Sequence, residues 1–207
     1  MDPEKELLKR GAESELYLID WYGVIAISKI RVPKKYRHDA IDVYLRKQRT
    51  IHEATLLSHA KFLGINTPFI YFIDAHNFEI IMERIPGKTL KDDCLPNHFI
   101  TVGKIIGSLH LNNIIHGDIT TSNFIVSSNS QISLIDFGLS FFSERYEDKA
   151  ADLRLFKEIL ISTIADEFEE SFHNFCIGYY EVYDKAPKII NTIKEIEKRG
   201  RYSRSAF

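Results

Sequence analysis

Two acidic motifs constrain this chain more than anything else in it. One is His116-Gly117-Asp118, with Asn123 five positions past the aspartate; the other is Asp136-Phe137-Gly138, opening thirteen positions past that asparagine. Both lie between short apolar runs, with Phe124-Ile125-Val126 after the first and Ile132-Ser133-Leu134-Ile135 before the second. A fold that carries them must bring a helix up to the first motif, turn through Asn123 into a strand, and turn again at Asp136. The residue types suit phosphoryl transfer. One carboxylate accepts or orients the proton of an attacking hydroxyl, while an amide oxygen and a second carboxylate hold a divalent cation on phosphates. Taken singly, His-Gly-Asp makes an Asx turn, Asn123 a cap and Asp-Phe-Gly a plain turn. Order and spacing give the set its meaning.

The rest of the composition is permissive. At 207 residues the chain can build one large domain or two small lobes. A hydrophobic fraction of 44%, 27% charged residues and a net charge of −2 suit an ordinary packed core and give no global sign of nucleic-acid binding. No apolar run approaches the ~20 residues that span a bilayer, and the acidic start at Met1-Asp2-Pro3-Glu4-Lys5 is unlike a secretory signal. The expectation is a cytoplasmic protein without membrane contact. Cys94 and Cys176 lie far apart without C-x-x-C spacing, which argues against a disulfide framework or structural zinc.

Along the chain there is no repeat and no Ser/Gly/Pro linker. Residues 6–30 are strand-like, with apolar runs at 16–19 and 24–27 around the turn Asp20-Trp21-Tyr22-Gly23. Residues 38–63 predict a long helix with Ile41 and Leu45 among its apolar positions and Gly64 as its stop. Strands follow at 68–73 and 78–82 around Asp-Ala-His-Asn. After Pro86-Gly87 the character changes to a helix at 96–113, strands at 124–126 and 132–135, and helix from about 149 onward. A strand-rich half followed by a helical half predicts an α+β, bilobal protein-kinase-like fold, with an N-lobe at 1–84, a reduced helical C-lobe at 85–197 and a basic tail at 198–207.

The motifs resemble those of protein kinases, which write the first as H-R-D-x-x-x-x-N; here Gly117 takes the arginine's place. The resemblance implies that Asp118 is the catalytic residue and that Asn123 and Asp136 hold magnesium. Lys29 ends an apolar strand as the V-A-I-K lysine does, and Glu53 on the long helix is the acid best placed to orient it. The backbone of Glu83 and Ile85, beside Met82, falls where the kinase hinge binds adenine. Two parts depart from the pattern. The phosphate loop is only Gly11-Ala12-Glu13-Ser14-Glu15, so Gly11 and Ser14 carry the expected nucleotide contact, and Glu13 and Glu15 would oppose phosphate unless turned away. No Ala-Pro-Glu follows Asp136, and about fifteen residues separate Gly138 from the next helical segment. With no arginine at 117 to answer a phosphorylated loop, that switch is not expected.

His116-Gly117-Asp118-Ile119-Thr120-Thr121-Ser122-Asn123, the compact length and the degenerate loop together resemble the small atypical, RIO-like Ser/Thr kinase/ATPase subunit of the KEOPS (EKC) complex. The resemblance covers essentially the whole chain. It implies ATP and magnesium as cofactors, serine/threonine phosphorylation including autophosphorylation, or a regulatory ATPase role. It also implies partners: a sugar-kinase-fold, metal-containing catalytic subunit and other KEOPS subunits, in an assembly that makes threonylcarbamoyladenosine in tRNA. The basic segment Lys198-Arg199-Gly200-Arg201-Tyr202-Ser203-Arg204 is either a solvated end or a contact for tRNA phosphate. Two other functions fit parts of the pattern. A small-molecule phosphotransferase also writes H-G-D-x-x-x-x-N, although only about seventy residues follow Gly138. A non-catalytic nucleotide-binding scaffold fits less well, because the catalytic and metal positions are intact.

Overall fold

A computed structural model describes residues 5–204, and for 197–204 the backbone alone. The side chains of the basic segment therefore lie outside the described residues, as do residues 205–207. The chain forms two compact units. The first runs through Pro86 and takes in Ser133–Gly138; the second holds Gly87–Ile132 and everything from Leu139. The secondary structure is α+β, as the sequence predicts.

In the first unit β1 (Glu6–Arg10), β2 (Ser14–Trp21), β3 (Val24–Arg31), β4 (Ile70–Asp74) and β5 (Glu79–Glu83) form one antiparallel sheet in the order β1-β2-β3-β5-β4. Two residues close the β2–β3 hairpin. Tyr22 and Gly23 have φ of 54° and 84°, the paired positive values that match a tight turn to the strands' twist. Asp20 supports the turn by accepting from the Gly23 N–H at 2.7 Å. The register runs unbroken from Ser14↔Arg31 to Trp21↔Val24, which sets Lys29 opposite Leu16 on one side and Ile80 of β5 on the other.

Helix α1 (Asp39–Phe62) packs against β4 and β5. It buries Thr50, Glu53, Ala54, Leu57 and Ala60, spaced three and four apart on one stripe. Ile41 is 56% exposed and Leu45 is half-buried, so apolar spacing in the first turns does not mark the packed face. Gly64, at φ 81°, ends the helix, and the Ile65 N–H reaches back to the Ala60 carbonyl at 3.1 Å.

In the second unit β6 (Lys88–Thr89) pairs with β8 (Phe124–Val126), and β7 (Ile114–Ile115) pairs with β10 (Phe141–Phe142). Strand β9 (Ile132–Leu134) carries the chain into the segment 133–138. Helix α2 (His98–Leu111) is followed by the motif loop, and α3 (Tyr146–Thr163), α4 (Phe168–Val182) and α5 (Ala186–Arg204) complete the unit. Glycines let α2 and α4 approach closely. A Cβ on Gly178 would sit 1.9 Å from the Ile100 carbonyl oxygen, and one on Gly103 would sit 2.1 Å from that of Phe175. Phe99, Phe156, Phe175 and Tyr179 are fully buried around this contact. The gap before α3 is shorter than the expected fifteen residues, because α3 already begins at Tyr146.

Candidate functional site

The first unit gathers Lys29, Glu53 and Asp136, three of the predicted residues, around one ammonium group. Strand β3 brings Lys29 to the face that meets Glu53 of α1, and Asp136 arrives on the returning segment 133–138. Lys29 Nζ donates to Glu53 Oε1 at 2.5 Å and pairs with Asp136 Oδ2 at 2.9 Å. Lys29 is 6% and Glu53 1% exposed, while the Asp136 side chain is 39% exposed. Burial alone would push the lysine down; the charges and hydrogen bonds of Glu53 and Asp136 outweigh it and hold the ammonium above its usual range. Asp136 Oδ1 accepts from the Gly138 N–H at 2.8 Å, so a local turn fixes the carboxylate. The other Glu53 oxygen accepts from Arg31, a contact sequence reasoning did not find.

The loop between β1 and β2 is already engaged with its own surroundings. The Gly11 N–H donates to the Ser14 carbonyl at 2.9 Å, and Ser14 is the first residue of β2. Both acidic residues have cations beside them. Glu13 pairs with Arg49 at 2.8 Å and lies 3.6 Å from Lys34, which also donates to the Ala12 carbonyl. Glu15 pairs with Arg10 at 2.7 Å and accepts from the Tyr17 hydroxyl at 2.6 Å. At the predicted hinge Glu83 ends β5, its N–H donates to the Phe69 carbonyl at 2.8 Å, and its carboxylate accepts from the Phe69 N–H. Met82 is buried and Ile85 half-buried.

In the second unit the motif loop follows β7 and is held by its backbone. Asp152 of α3 accepts from the His116 N–H at 2.8 Å on Oδ2 and from the Gly117 N–H at 2.9 Å on Oδ1. His110 of α2 contacts Asp152 Oδ2 through Nε2 at 3.3 Å, and its Nδ1 lies 2.8 Å from the Tyr179 hydroxyl. One tautomer satisfies both contacts, with Nε2–H donating to the carboxylate and Nδ1 accepting from the tyrosine. Burial pushes the imidazole below its ordinary value against the pull of Asp152. Asn123 ends a 3₁₀ turn (Thr121–Asn123), and its Nδ2 donates to the Asp118 carbonyl at 2.9 Å and to Asp118 Oδ2 at 3.1 Å. The two predicted side chains therefore meet directly.

No protein-family model matches the chain. The KEOPS complex subunit Bud32 of Pyrococcus abyssi is 41% identical to it, over 95% of this chain and 96% of that protein. The chain belongs to the Bud32 family. Two proteins named as probable bifunctional tRNA threonylcarbamoyladenosine biosynthesis proteins are also similar. That of Methanocaldococcus jannaschii is 40% identical over 96% of the chain, and that of Methanobrevibacter smithii 44% over 95%. The chain spans 37% of the length of each.

In this Bud32-family chain the glycine at 117 has a local steric reason. Its φ is 77°, and a Cβ there would lie 2.5 Å from the Leu139 carbonyl oxygen, so an arginine could not take the position without moving the following segment. Asp152 and His110 join Arg31 as participants that sequence reasoning missed. Arg31 could have been flagged, since it alternates with Lys29 on one strand. Nothing in the local pattern around Asp152 distinguishes it from an ordinary helix-surface acid.

Proposed function

We propose that the chain is an ATP- and magnesium-dependent serine/threonine kinase-like ATPase, capable of autophosphorylation. In this reading it works as a KEOPS subunit beside a sugar-kinase-fold, metal-containing catalytic subunit in making threonylcarbamoyladenosine in tRNA. The observation that carries the reading is the buried Lys29 ammonium shared between Glu53 and Asp136. A lysine held charged in that setting suits nucleotide phosphates, and Glu53 orients it. Asp118 accepts or orients the proton of the attacking hydroxyl or water, and Asn123 holds Asp118 through its amide nitrogen. The hinge backbone at Glu83 and Ile85 takes the adenine. With the Gly11 N–H engaged, the contribution of Gly11 and Ser14 requires the loop to rearrange.

Among the described residues no group of three or more His, Cys, Asp or Glu side chains could hold a metal. Asp136 and Asn123 are each nonetheless of the donor type magnesium takes, an ion that typically keeps few protein ligands and completes its shell with water and phosphate oxygens. Asp136 offers a carboxylate and Asn123 an amide oxygen, both hard donors. When bound, the cation would neutralise charge on the phosphates. Membership of the Bud32 family favours this reading over a small-molecule phosphotransferase.

No described helix is long and apolar enough to cross a membrane. A cytoplasmic setting and tRNA contact through the segment 198–207 belong to the same proposal. The deciding experiment measures magnesium-dependent ATP hydrolysis and autophosphorylation with and without the KEOPS partners. Asp118→Ala should abolish both while leaving ATP binding largely intact. Survival of both activities near the unmodified rate would sink the assignment.

A further inference from the structure

Arg31 stands two residues past Lys29 on β3, so strand alternation presents both side chains to Glu53. The Glu53 carboxylate is divided between them, with Oε1 on Lys29 and Oε2 on Arg31. Arg31 is 4% exposed, and its Nε finds no acceptor among the described residues. A buried donor left without a partner is costly, which means that the guanidinium sits where Glu53 needs it rather than where its own hydrogen bonds are best met. The Asp136-Phe137-Gly138 turn packs over the same pair: a Cβ on Gly138 would lie 3.5 Å from Arg31 Nη2 and 3.7 Å from Glu53 Oε2. Formal charge balances across the four groups, with Lys29 and Arg31 against Glu53 and Asp136.

We propose that Arg31 is the positioning residue of the Lys29 site, fixing Glu53 and sharing its charge so that the ammonium stays free to grip a nucleotide's di- or triphosphate. The proposal rests on the reading that Lys29 binds those phosphates. Without Arg31, Lys29 would be the sole counter-ion of the two carboxylates it already touches. Their uncompensated negative charge would then oppose an incoming phosphate. Arginine suits the task better than a second lysine, because its planar fork fixes one carboxylate oxygen in direction as well as distance.

The test is direct binding of ATP, ADP and adenosine to the full chain carrying Arg31→Gln or Arg31→Lys, with thermal unfolding confirming the folded state. Arg31→Gln should weaken ATP and ADP by roughly tenfold or more, as expected for a misplaced gripping group, and leave adenosine unchanged. Arg31→Lys should recover only part of the loss, since it restores charge without the fork. In a Lys29→Met background, Arg31→Gln should weaken ATP no further. An equal loss for adenosine, strict additivity with Lys29→Met, or no loss at all would overturn the proposal. If Lys29→Met by itself leaves ATP binding untouched, the phosphate reading fails and the proposal falls with it. Should Arg31→Gln not fold, Arg31→Lys carries the same comparison: a loss confined to ATP and ADP supports the role, and a loss shared with adenosine refutes it.

Discussion

The cluster around Lys29 and the loop around Asp118 are held by opposite means. Around Lys29, side chains hold side chains: two cations and two carboxylates balance one another's charge, and the backbone of β3 is occupied by its sheet. Around Asp118, one buried carboxylate, Asp152, holds the backbone N–H groups of His116 and Gly117 and so fixes the path of the chain. The first arrangement can be traded for apolar packing, because when Lys29, Arg31 and Glu53 are replaced together the Asp136 carboxylate that remains is 39% exposed to water and keeps the Gly138 N–H. The second cannot, because the peptide N–H groups remain whatever stands at 152.

That difference gives the largest expected effect. Asp152→Ala should cost about 2–5 kcal/mol of stability, because it leaves two peptide N–H groups without an acceptor at about 1–3 kcal/mol each, seen as a lowered urea midpoint. The combined variant Lys29→Met/Arg31→Met/Glu53→Leu should stay within about 1–2 kcal/mol of the unmodified protein, since apolar replacement of whole buried ion pairs is often neutral, while losing ATP binding. Similar losses for the two variants would erase the distinction between the regions.

The same distinction explains what could be read in advance. Lys29, Glu53 and Asp136 were legible because a strand end, a helix stripe and a turn each have a sequence signature, and the structure brings the three together. The spacing singled out Asp118 and Asn123 for separate roles, and the hydrogen bond from the Asn123 amide to the Asp118 carboxylate was not foreseen. Arg31 was missed because a cation at a strand's end is ordinarily solvated. Asp152 was missed because its partners are peptide groups more than thirty residues earlier in the chain, and backbone partners leave no mark on residue type. Apolar spacing at Ile41 signals the helix that is there but says nothing of whether a neighbouring element covers that residue, which is 56% exposed. Gly103 and Gly178 show the same limit, since a close helix crossing is set by both helices at once. Strands of two residues, such as β6, β7 and β10, are too short to display alternation.

A pH series sharpens the comparison at intermediate size. His110 is depressed below its ordinary value of 6.5, with burial the largest cause, opposed by Asp152 and assisted by Lys149 and His116. The unfolded chain then binds the proton more readily, so this contribution is complete above pH 6.5 and is lost as pH falls below it. The slope reaches at most about 1.4 kcal/mol per pH unit for one proton. Lys29 is raised, so its contribution is complete below the ordinary lysine range and is lost only in strong alkali. Urea titrations between pH 7 and 5 should show stability falling, and His110→Gln should flatten that fall. An unchanged slope in the variant would mean that the acid sensitivity arises elsewhere than behind the Asp118 loop.

The smallest effect concerns the loop that precedes β2, where a charge holds a charge as around Lys29 but in reach of water. Arg49 and Glu13 are 36% and 42% exposed at their side chains, and pairs of that kind contribute about 0–1 kcal/mol. Glu13→Gln should therefore leave the urea midpoint almost unmoved. Its consequence lies in binding. Removing one negative charge and releasing Arg49 and Lys34 should strengthen ATP binding about twofold to threefold at low salt, an electrostatic gain of less than 1 kcal/mol. Because the groups are solvated, the gain should vanish near molar salt, where the screening length is about 3 Å. The Lys29 cluster, being buried, should keep its influence on ATP binding over the same range. A Glu13→Gln gain that survived high salt would place this carboxylate in the protected class with Glu53, and no gain at all would mean that phosphate never meets the charges of this loop.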